Sequence, residues 1–122
     1  MRKKIVIIDD DSNQLSMLHT ILKNAGYEVT SAVDVIVGIK IVSEIMPDII
    51  TLDLIMPKMG GLEALRHLKE DAKTKLIPII VITSSEKKED EEKAHALGAK
   101  DFIKKPYEKN LLLSAVQKHL IP

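Results

Sequence analysis

Four short apolar runs, Ile5 to Ile8, Ile49 to Leu52, Ile79 to Ile82 and the briefer Phe102-Ile103, are each bounded by charged or turn-forming residues. The first three are continuous and rich in isoleucine and valine, as strands covered on both faces of a parallel sheet are. They are expected to be central. Glu28 to Ala32 and Lys100 to Lys104 mix polar with apolar residues, as less completely covered strands do, and are expected at the edges. Between the runs lie segments of helical period. Asp11 or Ser12 caps a first helix whose Leu15, Leu18, Leu22 and Ala25 share a face, with Gly26 as its stop. A second helix opens near Asp34 and closes before Pro47. Three more run from about Gly61 to Ala72, Lys87 to Leu97 with Gly98 after it, and Glu108 to Leu120.

Five strand-helix alternations imply right-handed βαβ units, hence a parallel sheet with helices on both faces. With the first, third and fourth strands central, the simplest strand order is 2-1-3-4-5, and the topological switch point lies between the first and third. The 122 residues suit one domain, expected over residues 1–122. The absence of cysteine excludes disulfides and thiolate ligands and fits a reducing compartment such as the cytoplasm. Eighteen basic and eighteen acidic side chains balance, which removes any global attraction to nucleic acid or anionic membrane. No apolar run approaches the ~20 residues of a membrane span, and no signal peptide or lipidation motif is read. Charge-driven chemistry must therefore be local.

The carboxyl ends of the strands supply it. Asp9, Asp10 and Asp11 follow the first strand, Asp53 the third, Thr83, Ser84 and Ser85 the fourth, and Lys104, Lys105 and Pro106 the fifth. In the order 2-1-3-4-5 these ends are neighbours. Gathered carboxylates repel, and a divalent cation relieves them; all-oxygen ligation suits Mg²⁺, which tends to bring phosphate with it. An aspartate facing a metal and a lysine can act as a nucleophile toward phosphorus, while lysine and threonine supply donors to phosphoryl oxygens. Singly, each residue has a plainer reading. Asp11 is expected only to cap a helix, Lys104 to face solvent by strand alternation, and His19, His67, His95 and His119 to lie in helices away from the acids. The run Lys87 to Lys93 reads as a solvated helix face with pairs Lys87–Glu91 and Glu89–Lys93.

In combination, Ile5-Val6-Ile7-Ile8-Asp9-Asp10-Asp11-Ser12, the segment Pro47 to Gly61 around Asp53, Pro78 to Ser84, and Gly98 to Pro106 resemble the motifs of the response regulator receiver domain of two-component signalling, over essentially the whole chain. The resemblance implies a flavodoxin-like α/β fold. That family is itself a standard example of the 2-1-3-4-5 order, so the order is no independent support. The resemblance further implies that Asp53 accepts a phosphoryl group and that Asp10 ligates Mg²⁺ directly. Asp9 would do so largely through water, and the backbone carbonyl of Ile55 would complete the protein's share. Thr83 would donate to the phosphoryl oxygen on activation, Lys105 would hold another oxygen, and Phe102 would move inward with Thr83 as the switch aromatic. The Lys105-Pro106 bond is expected to be cis on the same ground. The donor would be a sensor histidine kinase or phosphotransfer protein. The readout would pass through the face of the fourth helix, fifth strand and fifth helix to a partner or output domain, with no direct contact to nucleic acid or membrane. Such a chain is a switch that takes part in its own phosphorylation rather than a conventional enzyme.

Departures from the family pattern concern tuning. Ile55, two past the acceptor, and Ser85, two past the hydroxyl, occupy positions that modulate the phosphoryl lifetime; an apolar Ile55 cannot orient water, which implies a long-lived state. Gly60, where the family usually has Asp or Asn, is expected to loosen the loop after Pro57. Two other readings stand beside the receiver. A haloacid-dehalogenase-like phosphatase would use Asp9 as nucleophile with Asp11 two residues on, and a phosphorylation-independent binding module would need no chemistry. A flavodoxin is disfavoured by carboxylates where a flavin phosphate would sit. The second helix is anomalous: Val35, Ile36, Val37, Ile39, Ile41, Val42, Ile45 and Met46 cover more than one face. Ile36, Val37, Ile41 and Ile45 are expected to risk exposure, either as scattered surface residues or as a contact with a partner or a second copy in a homodimer.

Overall fold

A computed structural model describes residues 2–56 and 59–120. Pro57 and Lys58 of the Asp53 motif, and the terminal Ile121-Pro122, lie outside the described residues. Ten elements alternate along the chain: β1 (Lys4–Ile8), α1 (Ser12–Asn24), β2 (Glu28–Ala32), α2 (Val35–Ile45), β3 (Ile49–Leu52), α3 (Gly61–Glu70), β4 (Ile79–Thr83), α4 (Lys88–Ala96), β5 (Asp101–Lys104) and α5 (Lys109–Leu120). The strands form one parallel sheet in the order β2-β1-β3-β4-β5. Every residue of β3 and β4 is buried, whereas β2 and β5 retain half-buried or exposed positions. The unbroken isoleucine-valine runs therefore mark the centre and the mixed runs the edges.

Strand alternation divides the core into two layers. Val6, Ile8, Ile50, Leu52, Ile79 and Val81 pack against α2, α3 and α4 through Val42, Leu65, Leu68 and Ala94. Ile5, Ile7, Ile49, Ile80, Ile82 and Ile103 pack against α1 and α5 through Leu15, Leu18, Leu22, Leu112 and Val116. Burying a side chain of this size stabilises by about 1.5–3 kcal/mol before chain entropy is subtracted. Both faces are needed to hold the sheet rigid beneath its carboxyl edge.

Local signals set most helix ends. Asp11 caps α1 by accepting from the amides of Asn13 and Gln14, and Asp34 caps α2 by accepting from Val37. Ala25, expected on the buried face of α1, is instead its exposed C-cap. Helix α3 stops two residues short of Ala72 because Asp71 is extended and its carboxylate takes the amide of Lys73, while the Thr74 hydroxyl donates to the Leu68 carbonyl at 2.6 Å. In α2, Ile36 and Val37 are exposed at 62% and 44%, but Ile41 and Ile45 are half-buried against the core and are not the free residues expected. Neither anticipated pair of α4 is an ion pair among the described residues. Glu91 faces His95 at 3.9 Å instead, since exposed pairs are worth too little to fix long side chains.

One glycine sets the spacing at the carboxyl edge. A Cβ on Gly61 would lie 2.3 Å from the Leu54 Cα and 2.4 Å from the Asp53 carbonyl oxygen, and the Gly61 amide donates to the Leu54 carbonyl at 3.1 Å. The clash is with backbone, which cannot swing aside. Gly61→Ala is expected to cost about 1–3 kcal/mol in urea unfolding, the usual penalty of overpacking, and to move the Asp53 backbone amide signal in NMR spectra.

Candidate functional site

Three residues at the carboxyl edge are each held by a hydrogen bond that continues the sheet past the strand. The Asp9 amide donates to the Ala32 carbonyl at 3.1 Å, the Asp53 amide to Ile8 at 3.1 Å and the Lys105 amide to Thr83 at 2.9 Å. Backbone order is thereby passed to the side chains. The Lys105 Nζ donates to Asp9 Oδ2 at 2.6 Å and to Asp53 Oδ2 at 2.9 Å. The remaining oxygens are also engaged, Asp9 Oδ1 by the Asp11 amide at 2.9 Å and Asp53 Oδ1 by the Ile55 amide at 3.0 Å. Asp9 and Asp53 are buried and Asp10 is exposed, yet all three offer an oxygen within 4.8 Å of the others. An open cleft of about 500 Å³ lies over them, lined by Asp10, Asp53, Ile55, Ser84, Lys105 and Pro106 among others.

The acids outnumber their lysine. At such a spacing each carboxylate pair repels by roughly 3–4 kcal/mol at an effective dielectric constant of about 20, and one ammonium cannot offset three anions. Burial foremost, with the charge of Asp53 added, holds the Asp9 carboxyl above its ordinary value despite its bonds to Lys105 and the Asp11 amide. For Lys105, burial pulls downward, but the hydrogen bonds and charges of Asp9 and Asp53 together prevail and hold the ammonium above its usual range. The cluster is short of positive charge. Its oxygen-only donors, part buried and part open to water, fit a hard divalent cation rather than zinc or copper.

Thr83 is fully buried, and its hydroxyl accepts from the Ser85 amide at 3.3 Å. The Ser85 hydroxyl in turn donates to Asp90 on α4 at 2.5 Å and accepts from the Lys87 amide at 3.3 Å. Asp90 was legible only as one charge in an acidic stretch; its grip on Ser85 crosses the β4–α4 loop, a connection no local period encodes. Phe102 is half-buried on β5, its ring centroid 6.4 Å from that of His95. The Lys105-Pro106 bond is cis. Lys104 is exposed, and none of the four histidines is among the groups lining the acidic cleft. Asp11, which also lines the cleft, spends its Oδ1 on the amides of Asn13 and Gln14 and so caps α1 as expected.

Comparison with known proteins points one way. The family described as response regulator receiver domain matches residues 5–117. The chain is 30% identical over 113 residues to the protein PilH of Pseudomonas aeruginosa, covering 93% of each. It is 34% identical to the DNA-binding dual master transcriptional regulator RpaA of Synechocystis, covering 93% of this chain but only 47% of that one. The structure of the chemotaxis protein CheY4 of Vibrio cholerae superposes with a TM-score of 0.91 at 28% identity, over 97% of this chain and 98% of that chain. No described helix is long and apolar enough to cross a membrane.

Because the carboxyl of Asp9 is raised above 3.8, the folded protein retains a proton there that the unfolded chain has shed. Metal-free stability therefore declines as pH rises from that value through the folded one, and cation binding in the same window must expel the proton. Mg²⁺ affinity is expected to fall on acidification through this window and to be flat above it. Calorimetry in buffers of different ionisation enthalpy should detect proton release in acidic but not in alkaline solution.

Proposed function

The chain belongs to the response regulator receiver family, whose function is to switch with phosphorylation, and from that premise we propose that Asp53 is the phosphoryl acceptor. The observation that carries this reading is the double bond of Lys105 to Asp9 and Asp53 at 2.6 and 2.9 Å beneath an open cleft. Asp53 is the only one of the three acids that is at once buried, fixed by backbone and lysine, and open to that cleft. A carboxylate oxygen of Asp53 bonds to phosphorus as the donor's bond to phosphorus breaks, and the leaving group departs with that electron pair. With a phosphohistidine donor the imidazole nitrogen then takes up a proton from solvent.

Asp9, Asp10 and Asp53, with the backbone carbonyl of Ile55, would hold Mg²⁺, which supplies positive charge to offset the acids and the incoming phosphoryl oxygens. Lys105 keeps its ammonium within reach of one phosphoryl oxygen, charged across the physiological range. Thr83 turns its hydroxyl from the Ser85 amide toward another oxygen, and the space it vacates admits Phe102. Loss of the Thr83 bond loosens the loop that Ser85 ties to Asp90, which passes the change to α4 and the face it forms with β5 and α5. Ile55, 54% exposed at the rim, offers no hydrogen bond to an attacking water, which supports a long-lived phosphoryl group. The donor is a histidine kinase or phosphotransfer protein, the recipient of the signal a partner or output domain, and the setting the cytoplasm.

Intact mass after incubation with acetyl phosphate and Mg²⁺ tests the assignment. One added phosphoryl group is expected on the wild type and none on Asp53→Asn or with EDTA; labelling that survives Asp53→Asn and is lost in Asp9→Asn would overturn it.

A further inference from the structure

Helix α4 begins without the side-chain cap that opens α1 and α2. Lys87 at its N-cap makes no side-chain bond to the helix, whereas Asp11 and Asp34 cap the other two. Ser85, two residues earlier, takes that place. Its hydroxyl accepts from the Lys87 amide at 3.3 Å and donates to Asp90 at 2.5 Å. Asp90 is the third residue of the helix, the position from which a side chain reaches back toward the N-cap. Here it reaches past the N-cap to Ser85. The contact is short and charge-assisted, the stronger kind of hydrogen bond, and Asp90 makes no ion pair with a described residue that would compete for its carboxylate.

The same serine also faces Thr83. Its amide donates to the Thr83 hydroxyl at 3.3 Å, and both residues are buried. When Thr83 turns toward a phosphoryl oxygen, that amide loses its acceptor. A buried amide without a partner is unfavourable, so Ser85 has to move with Thr83. Asp90 and the Lys87 amide hold it from the helix side. The Ser85–Asp90 bond therefore stabilises the resting arrangement and must give way for the turned one, which places it on one side of the equilibrium alone.

We propose that Asp90 is a positioning residue whose bond to the Ser85 hydroxyl latches the β4–α4 loop at rest and sets how readily Thr83 turns. The proposal rests on the phosphoryl reading of Asp53 and Thr83 and adds a regulator outside the cleft, since Asp90 is not among the groups that line it. The coupling runs inward as well as outward: whatever draws Asp90 away from Ser85 favours the phosphoryl-bound state by the same factor that phosphorylation loosens α4.

Titration with beryllofluoride, a phosphoryl mimic, in the presence of Mg²⁺ and followed by the Thr83 amide signal in NMR spectra, tests the latch beside urea unfolding of the same variants. Asp90→Ala should unfold at lower urea yet bind beryllofluoride about tenfold tighter, the factor implied by a charged hydrogen bond lost on activation. Its unliganded Thr83 signal should lie displaced toward the bound position. Asp90→Asn, which keeps an acceptor without the charge, should fall between. Ser85→Ala should tighten binding likewise and leave Asp90→Ala with no further effect. Glu89→Ala, which removes an exposed acid from the same helical turn, should leave the affinity unchanged. Unchanged or weaker binding in Asp90→Ala would overturn the latch, because a residue that only supports α4 lowers stability without favouring the ligand; so would additive effects of Asp90→Ala and Ser85→Ala. A wild type that binds no beryllofluoride would overturn the phosphoryl reading and the latch with it.

Discussion

The ammonium of Lys105, bonded at once to Asp9 and Asp53, is the constraint on which the carboxyl edge depends. These carboxylates come from β1 and β3, and the lysine from the far edge at β5. Removing one partner of a buried charge network typically costs 3–5 kcal/mol, because the others are left in low dielectric without compensation. The lysine thus does two things: it makes an otherwise repulsive cluster tolerable, and it leaves that cluster with an excess of acid. A fully neutralised site would have no deficit of positive charge to draw a cation. One with no lysine would not hold its acids together.

The fold supplies the rigidity this arrangement needs. Residues lining both faces of the sheet are isoleucine, valine and leucine, packed on helices on either side, and the amides of Asp9, Asp53 and Lys105 extend the ladder beyond the strands. Gly61 brings the start of α3 against the Asp53 backbone, closer than any side chain would allow. The more lightly held parts lie elsewhere. Thr83, Ser85 and Asp90 form a chain of hydrogen bonds leading from the buried hydroxyl to α4, and α4 is short, heavily charged and buries one residue, Ala94. A helix held so lightly is suited to shift when its tether is released.

Strand order and site composition were legible because both follow from local signals. Unbroken Ile and Val runs mark the centre of the sheet, and ionic residues directly after them mark its carboxyl edge. The placement of Asp9, Asp10, Asp53, Thr83 and Lys105 at that edge needed no long-range information once the order was set, whereas the role expected of each came from the family resemblance. What escaped the sequence is tertiary. The end of α3 is fixed by the Thr74 hydroxyl reaching the Leu68 carbonyl, and Asp90 is distinguished from its acidic neighbours only by meeting Ser85. Ile41 and Ile45 resembled Ile36 and Val37 in composition but are half-covered by the core. Hydropathy counts apolar residues; neighbouring elements decide which of them are covered.

The most direct test of the central role of Lys105 is the Mg²⁺ dissociation constant of Lys105→Met beside that of the wild type, measured by calorimetry at neutral pH. If the lysine and the cation answer the same deficit of positive charge, removing the lysine tightens Mg²⁺ binding by about tenfold or more, as the loss of a neighbouring like charge at this distance should. Unchanged or weaker binding in a folded variant would contradict the account.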